Sequence, residues 1–252
     1  MKWASSISES DSVNTAVEEC AESIKGTIGD DPDLVFIFPS YNFTSRFVEI
    51  SNAVNQQFRN SIVIGCSGNG VIGSGQEVEQ RPGFAMCAAV MPDVTITPFH
   101  VSNSDLPDGD APPDKWSDML GVASGSDPSF VILADPFSVQ GENLLMGMDY
   151  AYPGCKIVGG LASGWTQPGA NALYLNNRTY DHGLVGIALS GNIDVSTIVA
   201  QGCKPIGTLS RVTKCEKNIL HELDDRSPFD VLGEIYNKLS ETDQKLFQNS
   251  LF

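Results

Sequence analysis

One pattern occurs twice in this chain: a continuous apolar run, a helical stretch, a second strand and a glycine-rich loop, spaced roughly 95 to 100 residues apart. Leu34-Val35-Phe36-Ile37-Phe38 is answered by Phe130–Ala134. Gly65-Cys66-Ser67-Gly68-Asn69-Gly70 is answered by Gly159-Gly160-Leu161-Ala162-Ser163-Gly164. Gly83-Phe84 matches Gly183-Leu184, and Asp93-Val94-Thr95 matches Asp194-Val195-Ser196. Correspondences that keep their order along the chain mark a duplication. Runs with no polar alternation are strands buried on both faces, which requires helices or a second sheet on each side. The fold class that follows is α/β, built of internally duplicated mixed-sheet units. Each unit is read as buried strand, helix, strand, glycine-rich loop and antiparallel strand pair.

Local signals place the elements. Trp3–Ile7 is strand-like. Asp11 or Ser12 caps a helix to about Ile24, with Val13, Val17, Cys20, Ala21 and Ile24 on one face; Gly26 and Gly29 are expected to stop it. A second helix spans roughly Thr44 to Phe58, and a strand covers Ser61–Ile64. Phe84–Met91 and Val94–Phe99 read as a hairpin turning at Pro92-Asp93. Residues 102–128 form a polar, Pro- and Gly-rich connection with a short helix near Trp116–Val122. The second unit repeats the order: a helix at 140–150, a strand at Cys155–Val158, and a strand pair Leu184–Leu189 and Ile193–Val199 turning at Gly191-Asn192. Beyond it, Val212–Lys214 and Ile219-Leu220 are strand-like, and Ser227-Pro228 opens a helix.

Composition narrows the partners. A formal charge of -16 repels phosphate backbones and anionic lipid surfaces, so no nucleic-acid partner is expected. No run is long and apolar enough for a transmembrane segment, and no signal-peptide core follows Met1, so the expected compartment is the cytoplasm, or an organelle after removal of a targeting peptide. The six cysteines form no C-x-x-C pair and lie in apolar settings. Reduced, buried thiols are the reading, with no metal and no cofactor.

The chemistry-bearing candidates gather at the loops. Glycines 65, 68, 70, 73 and 75 allow close backbone approach, and free N–H groups in such a loop form an anion-binding nest. Gly68-Asn69-Gly70-Val71-Ile72-Gly73 fits the dinucleotide pattern by letter only, because polar residues rather than a helix follow. The expected ligand-binding residues are Gly65, Cys66, Ser67, Gly68, Asn69 and Gly70, with Gly160 and Ser163 from the second loop. Glu77 and Glu79 alternate on one side of an extended segment and suit an amino group or acid–base work; a solvated hairpin approach is the plainer alternative. Lys204, within Gln201-Gly202-Cys203-Lys204-Pro205-Ile206-Gly207, puts a cation beside glycines where an anion could bind, or serves a rigid turn. Cys66 or Ser67 as a nucleophile would need a base such as His100 or His182.

These segments resemble the FIST family, a sensory domain of prokaryotic signalling proteins and eukaryotic F-box proteins. The resemblance rests on Gly65-Cys66-Ser67, Gly70-Val71-Ile72-Gly73, Glu77-Val78-Glu79, Pro98-Phe99-His100, Val158–Ser163, Gly183 with Gly186, residues 201–207 and Val212-Thr213-Lys214; the opening Lys2-Trp3-Ala4-Ser5-Ser6 fits as well. It implies a FIST N-like domain over residues 1–200 (repeats at about 30–100 and 129–200) and the start of a truncated FIST C-like domain at 201–252. It also implies an intracellular small-ligand sensor in signal transduction, with amino acids as the suggested class and a signalling protein as partner. The competing expectations are a cysteine- or serine-dependent hydrolase or transferase, and a non-catalytic scaffold whose loops are packed shut.

Overall fold

A computed structural model describes residues 1–29, 31–108, 111–198, 205–216 and 219–250. The chain divides into two units, Met1–Thr197 and Ile198–Phe252.

The first unit holds one eight-element series twice. The first series is β1 (Lys2–Ser8), α1 (Val13–Ile28), β2 (Leu34–Pro39), α2 (Phe47–Gln57), β3 (Ile62–Cys66), β4 (Val71–Gly73), β5 (Gln76–Val78) and β6 (Phe84–Val90). The second is β7 (Val94–Val101), α3 (Pro113–Leu120), β8 (Ser129–Ala134), α4 (Gly141–Ala151), β9 (Lys156–Leu161), β10 (Leu173–Leu175), β11 (Arg178–Tyr180) and β12 (Leu184–Gly191). One sheet has the order β1-β6-β2-β3-β10-β11 and the other β7-β12-β8-β9. In both, an antiparallel pair (β1 with β6, β7 with β12) leads to an antiparallel partner (β2, β8) and then to a parallel one (β3, β9). The mixed α/β class is as expected.

Burial sorts the first unit into four layers. Val13, Val17, Ile24, Ile50 and Val54 from α1 and α2 pack with Val35, Ile37 and Met86 on the outer face of the first sheet. Trp116, Leu120, Leu144 and Met148 from α3 and α4 do the same with Phe130 and Ile132 on the second. The inner faces meet through Leu34, Ile64, Leu173, Leu133, Val185 and Ile187. Strand β2 therefore alternates Leu34 inward and Val35 outward while remaining apolar throughout, which is why it shows no polar period.

Two pairings differ from expectation. Phe84–Val90 and Val94–Val101 are both strands, yet they do not form a hairpin. β6 is hydrogen-bonded on both sides, by β1 and β2, so it has no edge left for β7. Instead β7 crosses to the second sheet and pairs with β12. The same competition removes the expected pair at Gly191-Asn192: β12 lies between β7 and β8, and residues 193–198 form no strand. Val199 lies outside the described residues. Helix α1 also runs past Gly26 to Ile28, and Gly29, at φ 72, ends it in the left-handed conformation.

In the second unit, β13 (Val212–Glu216) and β14 (Ile219–Leu223) pair antiparallel. α5 (Pro228–Lys238) starts after Ser227, whose side chain makes no capping bond, and α6 (Glu241–Ser250) follows. Arg226 holds Glu234 with two guanidinium hydrogen bonds.

The duplication fixes two glycines for one reason. Gly65 pairs with Ile37 and Gly159 with Ile132, at matching points of the two parallel ladders. A Cβ there would lie 2.0 Å from the Ile37 carbonyl oxygen and 1.7 Å from that of Ile132. Gly65→Ala and Gly159→Ala are each expected to cost about 3 kcal/mol or more in urea unfolding. Gly26→Ala, with nothing within 4 Å of the added methyl, should stabilise by about 0.5–1 kcal/mol.

Candidate functional site

Beyond each parallel pair the backbone repeats itself. Gly68 N–H donates to Pro39 O at 2.9 Å and Ala162 N–H to Ala134 O at 2.8 Å. Ser40 N–H donates to Gly83 O and Asp135 N–H to Gly183 O, at 2.8 and 2.9 Å. The two glycine loops leave these equivalent points and meet. Ser163 N–H donates to Ser67 O at 3.1 Å, and Asn69 N–H donates to Ser163 Oγ at 3.3 Å. A Cβ on Gly164 would stand 2.6 Å from Ser67 Oγ, so the loops touch without a gap.

Beneath the contact runs a buried polar chain. Ser67, with no exposed surface, donates its hydroxyl to Asn171 Oδ1 at 3.5 Å and accepts Ala172 N–H at 3.0 Å. Asn171 Oδ1 also accepts Trp165 N–H at 2.9 Å, and its Nδ2 donates to Asp135 Oδ1 at 3.1 Å. Asp135 Oδ2 accepts the Ser138 hydroxyl at 2.6 Å, and Ser138 Oγ in turn accepts Gly183 N–H at 2.8 Å. Each buried polar atom of this chain is thus partnered, as a low-dielectric interior demands.

This changes what the expected site residues can do. The N–H groups of Ser67, Gly68, Asn69 and Ser163 are all taken by protein acceptors, so they do not form a vacant nest. Cys66 is buried among Leu133, Leu173 and Met91, and burial pushes its thiol pKa up to about 12. No hydrogen bond joins it to a histidine among the described residues. His100 instead stacks on Tyr180 at 3.8 Å, with Nε2 3.3 Å from His182 O, and burial lowers its pKa. His182 Nδ1 sits 2.7 Å from Asp181 Oδ1. Since Tyr180 pairs with Leu173 and Leu173 with Cys66, the Tyr180 ring on which His100 stacks stands on the second strand over from the thiol. Neither Cys66 nor Ser67 is armed as a nucleophile. Gly160 lies apart from the junction, on the edge strand β9 beside an apolar groove of about 480 Å³. Lys204 lies outside the described residues. Among the described residues, no group of three His, Cys, Asp or Glu could hold a metal ion.

What stays accessible is the rim. Tyr41, tied by its N–H to Gly68 O, places its ring 5.9 Å from that of Trp165, tilted by 36°. Tyr41 comes from the first half and Trp165, 42% exposed, from the second. Exposed Asn69 lies between the loops, and Glu79 packs against Gly70, where a Cβ would meet its Cγ at 3.0 Å. Glu77 is also exposed but stands nearer the hairpin tip, opposite Ile72. Tyr41, Asp135, Trp165 and Asn171 carry no local sequence motif, and the sequence reading missed them; the one signal that points to a rim is Gly164-Trp165, an aromatic directly after a paired glycine loop.

A family model for the FIST N domain matches residues 33–226. The chain belongs to the FIST family. The family is associated with sensing in signal transduction. An uncharacterized protein of Mycobacterium tuberculosis is 27% identical to this FIST chain over 247 residues, covering 94% of it and 60% of the relative. An uncharacterized protein of Mycobacterium bovis is 25% identical over 252 residues, covering 96% and 60%. The chain thus spans about three fifths of the length of these relatives. Among its described residues no helix is long and apolar enough to cross a membrane.

Three measurements check this geometry. Asn171→Ala strips partners from Ser67, Trp165 and Asp135 and should cost about 2–3 kcal/mol in urea unfolding. Iodoacetamide at neutral to mildly alkaline pH should alkylate exposed Cys215 in the native protein and spare Cys66 and Cys20. Because the folded Cys66 pKa of about 12 exceeds its ordinary 9.0, its contribution to stability is intact below pH 9 and lost as pH rises toward 12. Denaturant midpoints across that alkaline range should therefore fall, and Cys66→Ala should fall less.

Proposed function

We propose that this FIST chain is a sensing module that binds a small ligand carrying an amino group, an amino acid being the class that fits best, on the rim where the two glycine loops meet. The observation that supports it is the Tyr41–Trp165 pair, contributed by opposite halves and set above a fully hydrogen-bonded floor. Aromatic faces attract an ammonium group through their quadrupole, Glu79 supplies a counter-charge, and Asn69 offers an amide to the ligand's carboxylate. The net charge of -16 further favours approach of a cationic group. A rigid floor holds the rim in place before binding, so little ordering is spent on recognition. The engagement of the loop N–H groups favours a second reading, a scaffold with closed loops.

A thermal-shift screen against amino acids and simple primary amines separates the two. A ligand at 100 times its dissociation constant should stabilise by about 2.7 kcal/mol, a rise of roughly 5–11 °C for a protein of this size, at about 2–4 °C per kcal/mol. Trp165 fluorescence should change on binding, and Trp165→Ala and Glu79→Gln should each weaken affinity about tenfold, equivalent to 1.4 kcal/mol. Glu77→Gln should leave it unchanged. A screen without a hit, or a hit indifferent to Trp165 and Glu79, sinks the rim reading and leaves the scaffold.

A further inference from the structure

The two sheets differ at one equivalent place. In the first, the parallel strand β3 is covered on its outer side by β10, with Leu173 opposite Cys66, Tyr174 opposite Gly65 and Leu175 opposite Ile64. In the second, the parallel strand β9 is the last in the order, and no described strand pairs with its outer side. Gly65 and Gly159 hold matching ladder positions, so the counterparts of Cys66, Gly65 and Ile64 are Gly160, Gly159 and Val158.

The backbone groups along that open side follow from the same equivalence. Ser67 N–H donates to Ala172 O and Val63 O accepts Asn176 N–H, from the residues on either side of the strand covering β3, so residues 63, 65 and 67 face outward from β2. On β9 the Ala162 N–H turns inward to β8, which by alternation turns Ile157, Gly159 and Leu161 outward. Side-chain space matches as well. Tyr174 is fully buried against the first sheet, edge-on to Phe47 of α2 at 6.3 Å. At the corresponding place between α4 and β9 lies the groove of about 480 Å³, walled by Val139, Leu144, Leu145, Ile157 and Leu161. Leu161 is 64% and Leu145 46% exposed there.

The chain's own hairpin does not reach this edge. β4–β5 has the same three–two–three build as β10–β11, but only residues 67–70 separate it from β3, against 162–172 between β9 and β10. It is anchored elsewhere, Ser74 bonding to Ser5 through both N–H and hydroxyl. Nor is the edge defended. Sheet edges are commonly blunted by proline or charge; β7, the other end of this sheet, carries Pro98, whereas β9 carries two glycines and a single charge at its first residue.

We propose that the outer edge of β9 accepts an extended polypeptide strand, antiparallel to it, with an aromatic side chain opposite Gly159 flanked by aliphatic ones, supplied from outside these 252 residues. The covered edge of β3 in the same molecule is the template for that chemistry. The relatives carry about two fifths of their length outside the matched span, ample for one strand. A second copy of β9 would bring Gly159 or its aliphatic neighbours to the groove and leave the aromatic place unfilled.

The test is an amide NMR titration of the ¹⁵N-labelled protein with an acetylated, amidated peptide copying residues 170–176, Ala-Asn-Ala-Leu-Tyr-Leu-Asn. The expected result is saturable shifts and slowed exchange at Ile157, Gly159 and Leu161, with Val63, Gly65 and Ser67 unmoved. Replacing the peptide's tyrosine by alanine should weaken binding about tenfold, as loss of a central aromatic anchor does. Leu161→Pro removes one outward donor and should abolish binding; Leu145→Glu, on an exposed helix face, should weaken it without touching the backbone edge. No saturable shift at millimolar peptide, or shifts at another surface, overturns the proposal. So does protection of the three β9 amides before peptide is added together with a dimer in sedimentation, which would give the edge to a second copy.

Discussion

Asn171 holds the two halves of the first unit in register. Its amide reaches Ser67 beyond β3 on one side and Asp135 beyond β8 on the other, while its oxygen also takes the Trp165 N–H. Apolar contact between the inner faces supplies most of the favourable free energy of packing, but such contact is non-directional and tolerates sliding. A buried, fully partnered polar chain does not tolerate it, because each group displaced from its partner keeps the desolvation cost. The loop junction, the rim and the relative placement of the sheets all rest on this chain.

The duplication explains the architecture, and loop length explains where the symmetry stops. Both halves present a parallel strand with a glycine against a neighbouring carbonyl, and both follow it with a hairpin of two three-residue strands. In the first half a four-residue link folds that hairpin back over β1 and β6. In the second half the longer link lets the hairpin cross to the other sheet and cover β3. The six-stranded and four-stranded sheets are the outcome, and among the described residues no strand pairs with the outer side of β9.

Membership in a sensing family suits a molecule whose two halves touch through loops and share one aromatic rim. The same packing that closes the loops to an anion makes them a firm base for Tyr41 and Trp165. Burial likewise takes Cys66 out of chemistry: a thiol whose pKa is pushed to about 12 is neutral at physiological pH and acts as a small apolar residue.

Much of this was legible from residue order alone. The repeated apolar runs, the matched glycine loops, the Ser12 start of α1 and the Ser227-Pro228 start of α5 are local features, and local periodicity and capping report them. The glycine correspondence extended even to ladder position, because a Cβ at 65 or 159 is excluded by a neighbour on the adjacent strand. Pairing partners were a different matter. β6 and β7 look like a hairpin from the Pro92-Asp93 turn, but which strand a strand bonds to depends on which edges remain free after the others have paired. The same holds for the site. Asn171, Asp135, Tyr41 and Trp165 lie far apart in sequence and carry no motif, so their convergence exists only in space. The sequence by itself determined the class, the duplication and the glycine positions, since sterics and periodicity act over a few residues. The tertiary structure alone decided that the loops are closed, that the rim is aromatic and that, among the described residues, β9 has no strand on its outer side, since those follow from competition among distant segments for the same hydrogen bonds and the same buried volume.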